Sequence, residues 1–428
     1  MKIINSRDLS GTPLRQAAVQ IAEAGLAAID TQKAIRDHVR LGDGSLVVKN
    51  EAFPLADVAG IYVVGVGKCA IDAALALEAV LGERLTGGMV IDVRESSAPK
   101  KIKVFRGFHP WPNEANVDAT KNLVNFLEAR GENDLVICVI SGGGSTLLCS
   151  PQDLSCQDEG LLLNLLMRRG VEIKKINAVR KHISFARGGH LAKYAYPATV
   201  VSLIFSDVIG NDLETVASGP TFRDTTTVAE AEKILTEHDA LKSCGVDKCG
   251  LIETPKEEKY FEKVHNILLV NNEVALEAMR DAARSLGFAA EIRSRTLQGE
   301  AREAAGAIIS DLRKSPDKSA LLYGGETTVM VRGQGQGGRN QELALSGVPR
   351  IIEGELVVAI NSDGRDNSDV AGAFCDTETG RKAHALGLTA EDFLKNNDSY
   401  NFFAQTGDRI VTGDTGSNVS DLVLAIKN

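Results

Sequence analysis

Residues 321–343, LLYGGETTVMVRGQGQGGRNQEL, set the architecture expected of this chain. Two short apolar runs, 320–323 and 328–331, read as strands. Each breaks into a polar or glycine-rich turn, and a helix is expected over 341–345. Strand, glycine-rich turn and helix in succession is the repeating unit of layered α/β proteins. The second break carries Gly333, Gly335, Gly337 and Gly338, followed at once by Arg339 and Asn340. Without a Cβ such a loop turns sharply and lets a ligand reach backbone N–H groups. Arg339 on its rim would offer a planar fork to phosphate or carboxylate. A plain flexible loop is the other reading.

Outward from this run the same alternation recurs. Strands are expected at 61–64, 89–93, 104–105, 135–140 and 199–205, with helices after Lys68 and over 114–129, 161–168 and 173–194. One or two amphipathic helices fill 9–40. A charged connector spans 244–263, and alternation restarts with strands at 266–270, 290–292 and 356–360 and helices at 274–286 and 300–312. The expected fold is therefore α/β in two domains with mostly parallel sheets. Residues 1–255 form a Rossmann-like, doubly wound N-terminal domain and 256–428 a smaller C-terminal one. The active cleft is expected between them, assembled by closure.

The composition of the 428 residues fits: 43% hydrophobic, 41 glycines, 5% aromatic. A net charge of −9 without a basic patch argues against nucleic acid as a partner. No apolar run approaches the roughly 18 residues that span a membrane, and residues 1–16 have no signal-peptide core. Seven cysteines, mostly in apolar segments, suggest free thiols in a reducing cytoplasm. Cys244 and Cys249 with His238 nearby are too loosely spaced for a zinc site. A homo-oligomer stays open.

In open α/β sheets ligands gather at the carboxyl ends of strands. Gly65-Val66-Gly67-Lys68-Cys69-Ala70 fits a loose dinucleotide fingerprint, with Asp92 as a candidate ribose acid; a tight βα turn with a surface lysine is the plain alternative. Lys68 would add charge to an anion site at a helix start. Ser141-Gly142-Gly143-Gly144-Ser145 suits phosphate or carboxylate held by N–H groups, or a bland turn. Asp207, helped by Asp212, after 199–205 could hold Mg²⁺ or accept the proton of a substrate hydroxyl; capping a helix or closing an Asx turn is the plain alternative. Glu326 shares the opening loop with Arg339, Gly337, Gly338 and Asn340, and Asp363 heads an acidic loop over 361–369 that fails as an EF-hand. Asn177, Arg180 and Lys181 share adjoining helix faces, either at a cleft or in solvent. His109, before a proline, reads as an acid–base group or a hydrogen-bonded turn residue.

Taken in order, VVGVGKCA (63–70), GFHPWPNEANVDAT (107–120), ISGGGSTLL (140–148), INAVRKHIS (176–184), RGGHLA (187–192), SDVIGNDLETVASGPT (206–221), GGETTVMVRGQGQGGRNQELAL (324–345), NSDGRDNSDVAGA (361–373) and TGDTGSNVSDL (412–422) resemble the type II glycerate kinases. The resemblance covers nearly the whole chain and makes the C-terminal domain MOFRL-like. It implies transfer of the ATP γ-phosphoryl group to D-glycerate with Mg²⁺, giving 2-phosphoglycerate. It places the family's catalytic lysine on Lys68 and its arginine on Arg339. Arg187 departs from the family's usual lysine, Asn367-Ser368 from a Gly-Pro pair, and Asn361-Ser362 from a Gly-Thr-like entry. The alternative is an NAD(P)H-dependent hydroxypyruvate reductase using Gly65–Ala70 and Asp92. It leaves the other loops idle.

Overall fold

The computed structural model describes residues 1–246 and 249–428. By its contacts the chain divides into two compact units. One, here the Lys68 unit, comprises Thr31–Val208 and Asp212–Leu269; the other, the Arg339 unit, comprises Met1–Asp30, Ile209–Asn211 and Val270–Asn428.

After the helix Thr31–His38, the Lys68 unit has a small antiparallel sheet of β1 (Val39–Gly42), β2 (Ser45–Val48) and β3 (Glu51–Pro54), which sequence periodicity does not reveal. Its main sheet contains β4 (Gly60–Val66), β5 (Leu85–Asp92), β6 (Ile102–Arg106), β7 (Asp134–Ser141), β8 (Thr199–Phe205) and β9 (Val264–Val270) in the order β6-β5-β4-β7-β8-β9. The pairs from β6 through β8 are all parallel. β7 is buried almost throughout, so it reads as an unbroken apolar run. The chain winds outward from β4 to β6 and then returns to the other side of β4. That reversal is the doubly wound order, and it opens a crevice where the β4 and β7 loops leave the sheet. The helix expected over 173–194 is two helices, Ile173–His182 and His190–Ala195, with Gly188 and Gly189 at positive φ between them.

The Arg339 unit departs further from expectation. Its sheet contains β10 (Ala289–Leu297), β11 (Ser319–Gly325), β12 (Glu355–Asn361), β13 (Gly372–Asp376), β14 (Arg409–Ile410) and β15 (Asp421–Lys427) in the order β10-β11-β15-β12-β13-β14. Only β10 and β11 pair in parallel; the other four pairings are antiparallel. The last strand, β15, inserts between β11 and β12 and runs against both. Residues 328–331 form no strand; Thr328 makes one isolated bridge to Glu300.

Two stretches change sides relative to the sequence-based division. β9, expected to open the second domain, is the edge of the first sheet. Residues 1–30, expected in the first domain, group with the second. Their helix, Pro13–Ala28, starts with Pro13 at its first turn and a Thr12 side chain accepting the Arg15 N–H. It lies so close to the helix Asn272–Ser285 that a Cβ on Gly25 would stand 2.7 Å from Met279 Cγ. Arg15 is buried and reaches Asp376 and Asp408, each at 2.7 Å. Removing it would strand the Asp376 carboxylate and leave Asp408 with Lys382 alone, at 2.9 Å, a loss on the order of 3–5 kcal/mol. Those partners lie 361 and 393 residues away in sequence, beyond the reach of any local pattern.

Candidate active site

At the switch point the β4 and β7 loops are packed against each other. Gly67 has φ +126, and a Cβ there would stand 2.0 Å from Ser141 Oγ, so only glycine lets the two turns meet. The Gly65–Ala70 turn is closed on itself. Lys68 N–H donates to Gly142 O (3.0 Å), Cys69 N–H to Ser141 Oγ (3.4 Å), and Ala70 N–H to Gly67 O (3.2 Å). Ile71 N–H donates to Asp92 Oδ2 (3.0 Å). Asp92, the candidate ribose acid, is instead fully buried, caps this helix and pairs with Arg94 at 3.1 Å. The fingerprint therefore describes a packed turn whose amides are in use, and its contribution to a site is the Lys68 side chain.

The neighbouring loop is open. Among the described residues, the amides of Gly142, Gly143, Gly144 and Ser145 donate to no protein acceptor. Gly143 has φ +82 and turns the chain into the short helix Gly144–Leu147. Its backing is a strained segment. Ala217 (φ +51), Ser218 (φ +59) and Gly219 (φ +59) are consecutive left-handed residues. Gly188 and Gly189 N–H groups hold them by donating to Ser218 O (2.9 Å) and Gly219 O (2.8 Å). Ser218 Oγ lies 2.9 Å from Ser145 Oγ. A Cβ placed on Gly143 would lie 3.3 Å from Lys68 Cγ and 3.5 Å from His109 Cδ2, so both side chains border this loop.

Arg180 lies close enough to His109 for its charge to act on that ring. It is half-buried, donates to Asn177 Oδ1 at 3.0 Å and forms no ion pair among the described residues. Burial, then the nearby charge of Arg187, push its pKa down to about 10. A guanidinium kept desolvated without a carboxylate suits an incoming anion. The expected basic face is otherwise absent: Lys181 is buried and pairs with Asp224 at 3.0 Å. Arg187, at the position of the family's lysine, is fully buried with Glu159 at 2.5 Å and also donates to Arg180 O at 3.3 Å. Its exchange for lysine therefore alters the support beneath Arg180.

Asp207 is half-buried just beyond the end of β8. Among the described residues no group of three or more His, Cys, Asp or Glu side chains is arranged to hold a metal. Mg²⁺ asks for less, since it is commonly held by one or two carboxylates together with substrate phosphates. Asp207 stands two residues past the end of the strand, and the Asp212 carboxylate lies 3.8 Å from Lys174 on the surface. Asp363, in the Arg339 unit, accepts the Arg365 N–H at 2.9 Å within its own turn.

In the Arg339 unit the glycine-rich loop is closed. The N–H groups of Arg332 and Gly333 donate to Asn397 Oδ1. Those of Gln334 and Gln336 donate to Asn396 Oδ1 and Asp398 Oδ1, and that of Gly335 to Asn396 O. A Cβ on Gly335 would lie 2.4 Å from Asp398 Cβ, on Gly337 2.1 Å from Ser399 Oγ, and on Gly338 2.2 Å from Asp366 O. These glycines admit the protein's own 396–400 segment and Asp366.

Arg339 is held from two sides. Its Nε and Nη2 meet the Asp421 carboxylate at 2.6 and 3.0 Å, and Nη1 meets Glu326 at 2.6 Å. Burial opposes its charge, but Asp421 and Glu326 more than offset this and raise its pKa. Burial pushes the Asp421 carboxyl up, to about 7, while Arg339 and Asn340 pull it down. Three of the five guanidinium donors are thereby used. Asn340 is buried and spends its amide on Asp421 (2.8 Å) and Asp366 (3.1 Å), a positioning role. Asp366 caps the helix Arg339–Gly347 through the Asn340 and Gln341 N–H groups. Asp421 and Asp366, which orient Arg339 and its helix, carried no signal beyond their place in polar turns.

A doubly wound sheet with open amides and two cations at its switch point defines an enzyme of small anionic substrates. Residues 17–247 match the domain of unknown function DUF4147, and residues 319–421 match the MOFRL family. The chain is 36% identical to a glycerate 2-kinase of Pyrococcus horikoshii, covering 96% of this chain and 97% of that one. The solved glycerate kinase of Thermotoga maritima superposes with a TM-score of 0.83 at 32% identity, covering 97% and 99%. An Agrobacterium vitis relative with a provisional hydroxypyruvate reductase name is 34% identical over 84% of this chain and 85% of its own. The chain belongs to the glycerate 2-kinase family. Among the described residues no helix is long and apolar enough to cross a membrane.

Proposed function

We propose that this protein transfers the γ-phosphoryl group of ATP to D-glycerate, giving 2-phosphoglycerate. The observation that carries the reading is the loop at the switch point, where the amides of Gly142–Ser145 stay open beside Lys68 and His109, with Arg180, which has no ion-pair partner among the described residues, near His109. Phosphoryl transfer needs positioning and neutralisation of spreading negative charge more than covalent chemistry. The amides and Arg180 bind and orient anionic oxygens; Lys68 stabilises the phosphoryl group as it moves. Arg339, steadied by Asp421 and Glu326, is the candidate anion-binding cation of its own unit. Mg²⁺, when bound with ATP, supplies further neutralisation, and Asp207 is the carboxylate that would hold it. Glu326 keeps Arg339 oriented, and Asp363 is a secondary candidate for metal. The cysteines are all free and five of the seven are buried, which suits a cytoplasmic enzyme.

The reductase reading loses its ribose acid, because Asp92 is buried as a helix cap. A direct assay separates the two. Purified protein with D-glycerate, ATP and Mg²⁺ should give a ³¹P spectrum of 2-phosphoglycerate, with no NADH consumed on hydroxypyruvate. NADH oxidation without phosphorylated product would reverse the assignment.

A further inference from the structure

The turn after β6 holds a side chain that the reading above leaves without a task. Gly107 N–H donates to Asp92 O at 2.8 Å, and Phe108 N–H donates to Asn116 Oδ1 at 2.9 Å. Asn116 is fully buried in the first turn of the helix Glu114–Glu128. Its Nδ2 donates to Phe108 O at 3.0 Å and to Thr146 O at 3.1 Å. One amide side chain thus ties the turn to the far end of the open loop. That tie sets the His109 ring beside Gly143 and the Lys68 stem.

Histidines that serve structure in this chain use their ring nitrogens. His182 Nδ1 lies 2.8 Å from Ile252 O and its Nε2 3.2 Å from Thr226 Oγ1; His190 Nδ1 donates to Arg187 O at 2.6 Å. Neither ring nitrogen of His109 has a partner among the described residues, and the side chain is open to solvent. Its charged neighbours, Lys68 and Arg180, can only donate hydrogen bonds. Partial desolvation by the surrounding protein, then the charges of Lys68 and Arg180, lower the His109 pKa from its ordinary value. The ring is therefore neutral at pH 7 and keeps one nitrogen able to accept.

We propose that His109 accepts the proton of the D-glycerate hydroxyl during phosphoryl transfer. This rests on the kinase reading above and adds a residue to it. As the hydroxyl oxygen bonds to the γ-phosphorus, its O–H bond breaks and the proton passes to the unprotonated imidazole nitrogen. The bond from that phosphorus to the bridging oxygen breaks, and its electron pair leaves on ADP. The imidazolium then returns its proton to water. Substrate anions beside Lys68 and Arg180 offset the charges that suppress the ring's basicity, so binding itself makes His109 a better acceptor. Asp207 is left to the metal.

The test compares the wild type, His109→Ala and His109→Gln in the ³¹P assay with D-glycerate, ATP and Mg²⁺, each checked by thermal melting. In both variants kcat should fall roughly 10²-fold or more, with KM for ATP changed little. Added imidazole should restore part of the His109→Ala rate with saturation, an effect that lost packing would not show. If His109→Ala does not fold, the kcat of His109→Gln decides. Full turnover in either folded variant, or loss of turnover in His109→Ala without imidazole rescue, would overturn the proposal. A wild type that makes no 2-phosphoglycerate would instead sink the kinase reading itself.

Discussion

Two glycine-rich loops, one in each unit, look alike in sequence and differ in where their amides go. In the loop over 141–145 the N–H groups of Gly142–Ser145 have no protein acceptor among the described residues. In the loop over 332–338 the amides from Arg332 to Gln336 are all taken by Asn396, Asn397 and Asp398. Glycine permits a close approach in both cases. What approaches is a substrate in one reading and the protein's own backbone in the other. Glycine density alone thus marks contact distance, and the fate of the amides separates a binding loop from a packed one.

The largest effect expected from this comparison lies at the end of the packed loop. Arg339→Ala should lower kcat by roughly 10³-fold, by analogy with arginine fingers. Because it leaves Asp421 buried beside no cation, it should also reduce stability by about 3–5 kcal/mol in urea unfolding. Arg339→Lys should recover neither fully, since one ammonium cannot reproduce the two-point contact with Asp421. A variant that raised only KM and kept its stability would make Arg339 a simple substrate clamp.

A methyl group added to each loop gives a smaller and more discriminating contrast. On Gly335 it meets Asp398 Cβ and Cα at 2.4 and 2.6 Å, so Gly335→Ala must displace backbone and should cost about 2–3 kcal/mol of stability. On Gly143 it meets only the Lys68 and His109 side chains, at 3.3–3.6 Å, with a left-handed φ as the backbone penalty. Gly143→Ala should cost about 1–2 kcal/mol of stability while lowering kcat/KM more than Gly335→Ala does. Denaturant midpoints and steady-state kinetics on the pair would read this, and the opposite ranking would break the comparison.

Much of the Lys68 unit was legible because its central strands are buried and therefore read as plain apolar runs. Its site loops were legible because they follow those strands directly. The Arg339 unit hid its organisation in distant pairings. β15 is a clear apolar run, yet its insertion between β11 and β12 depends on partners about 60 to 100 residues upstream. Asp421 meets Arg339 across 82 residues, and no local spacing announces it. The same holds for segment 396–400, which carries no feature to mark it as the bed of the glycine-rich loop. His109 was visible as a residue but ambiguous in role, because the clamp that places it, Asn116 to Thr146, is also tertiary.

A pH-dependent effect is expected at the start of the helix His190–Ala195, next to the glycine pair that holds the strained 217–219 segment. His190 is buried, and burial above all pushes its pKa down to about 4 from the ordinary 6.5. The unfolded chain takes up that proton as pH falls below 6.5, while the folded protein refuses it until about pH 4. The neutral ring's contribution is thus complete above pH 6.5 and lost on the way down. Between pH 7 and 5 it should account for about 2 kcal/mol of lost stability. His190→Gln, unfolded in urea at both pH values, should show that much less acid dependence. An unchanged slope would place the acid sensitivity elsewhere.

The contrast between the loops is tested most directly by amide chemical shifts in ¹⁵N-labelled protein titrated with D-glycerate and a non-hydrolysable ATP analogue in Mg²⁺. The resonances of Gly142, Gly143, Gly144 and Ser145 should move with saturation, while those of Gly333, Gln334, Gly335 and Gln336 stay where they are. Saturable shifts at 333–336 with none at 142–145 would contradict the account and make the packed loop the binding one.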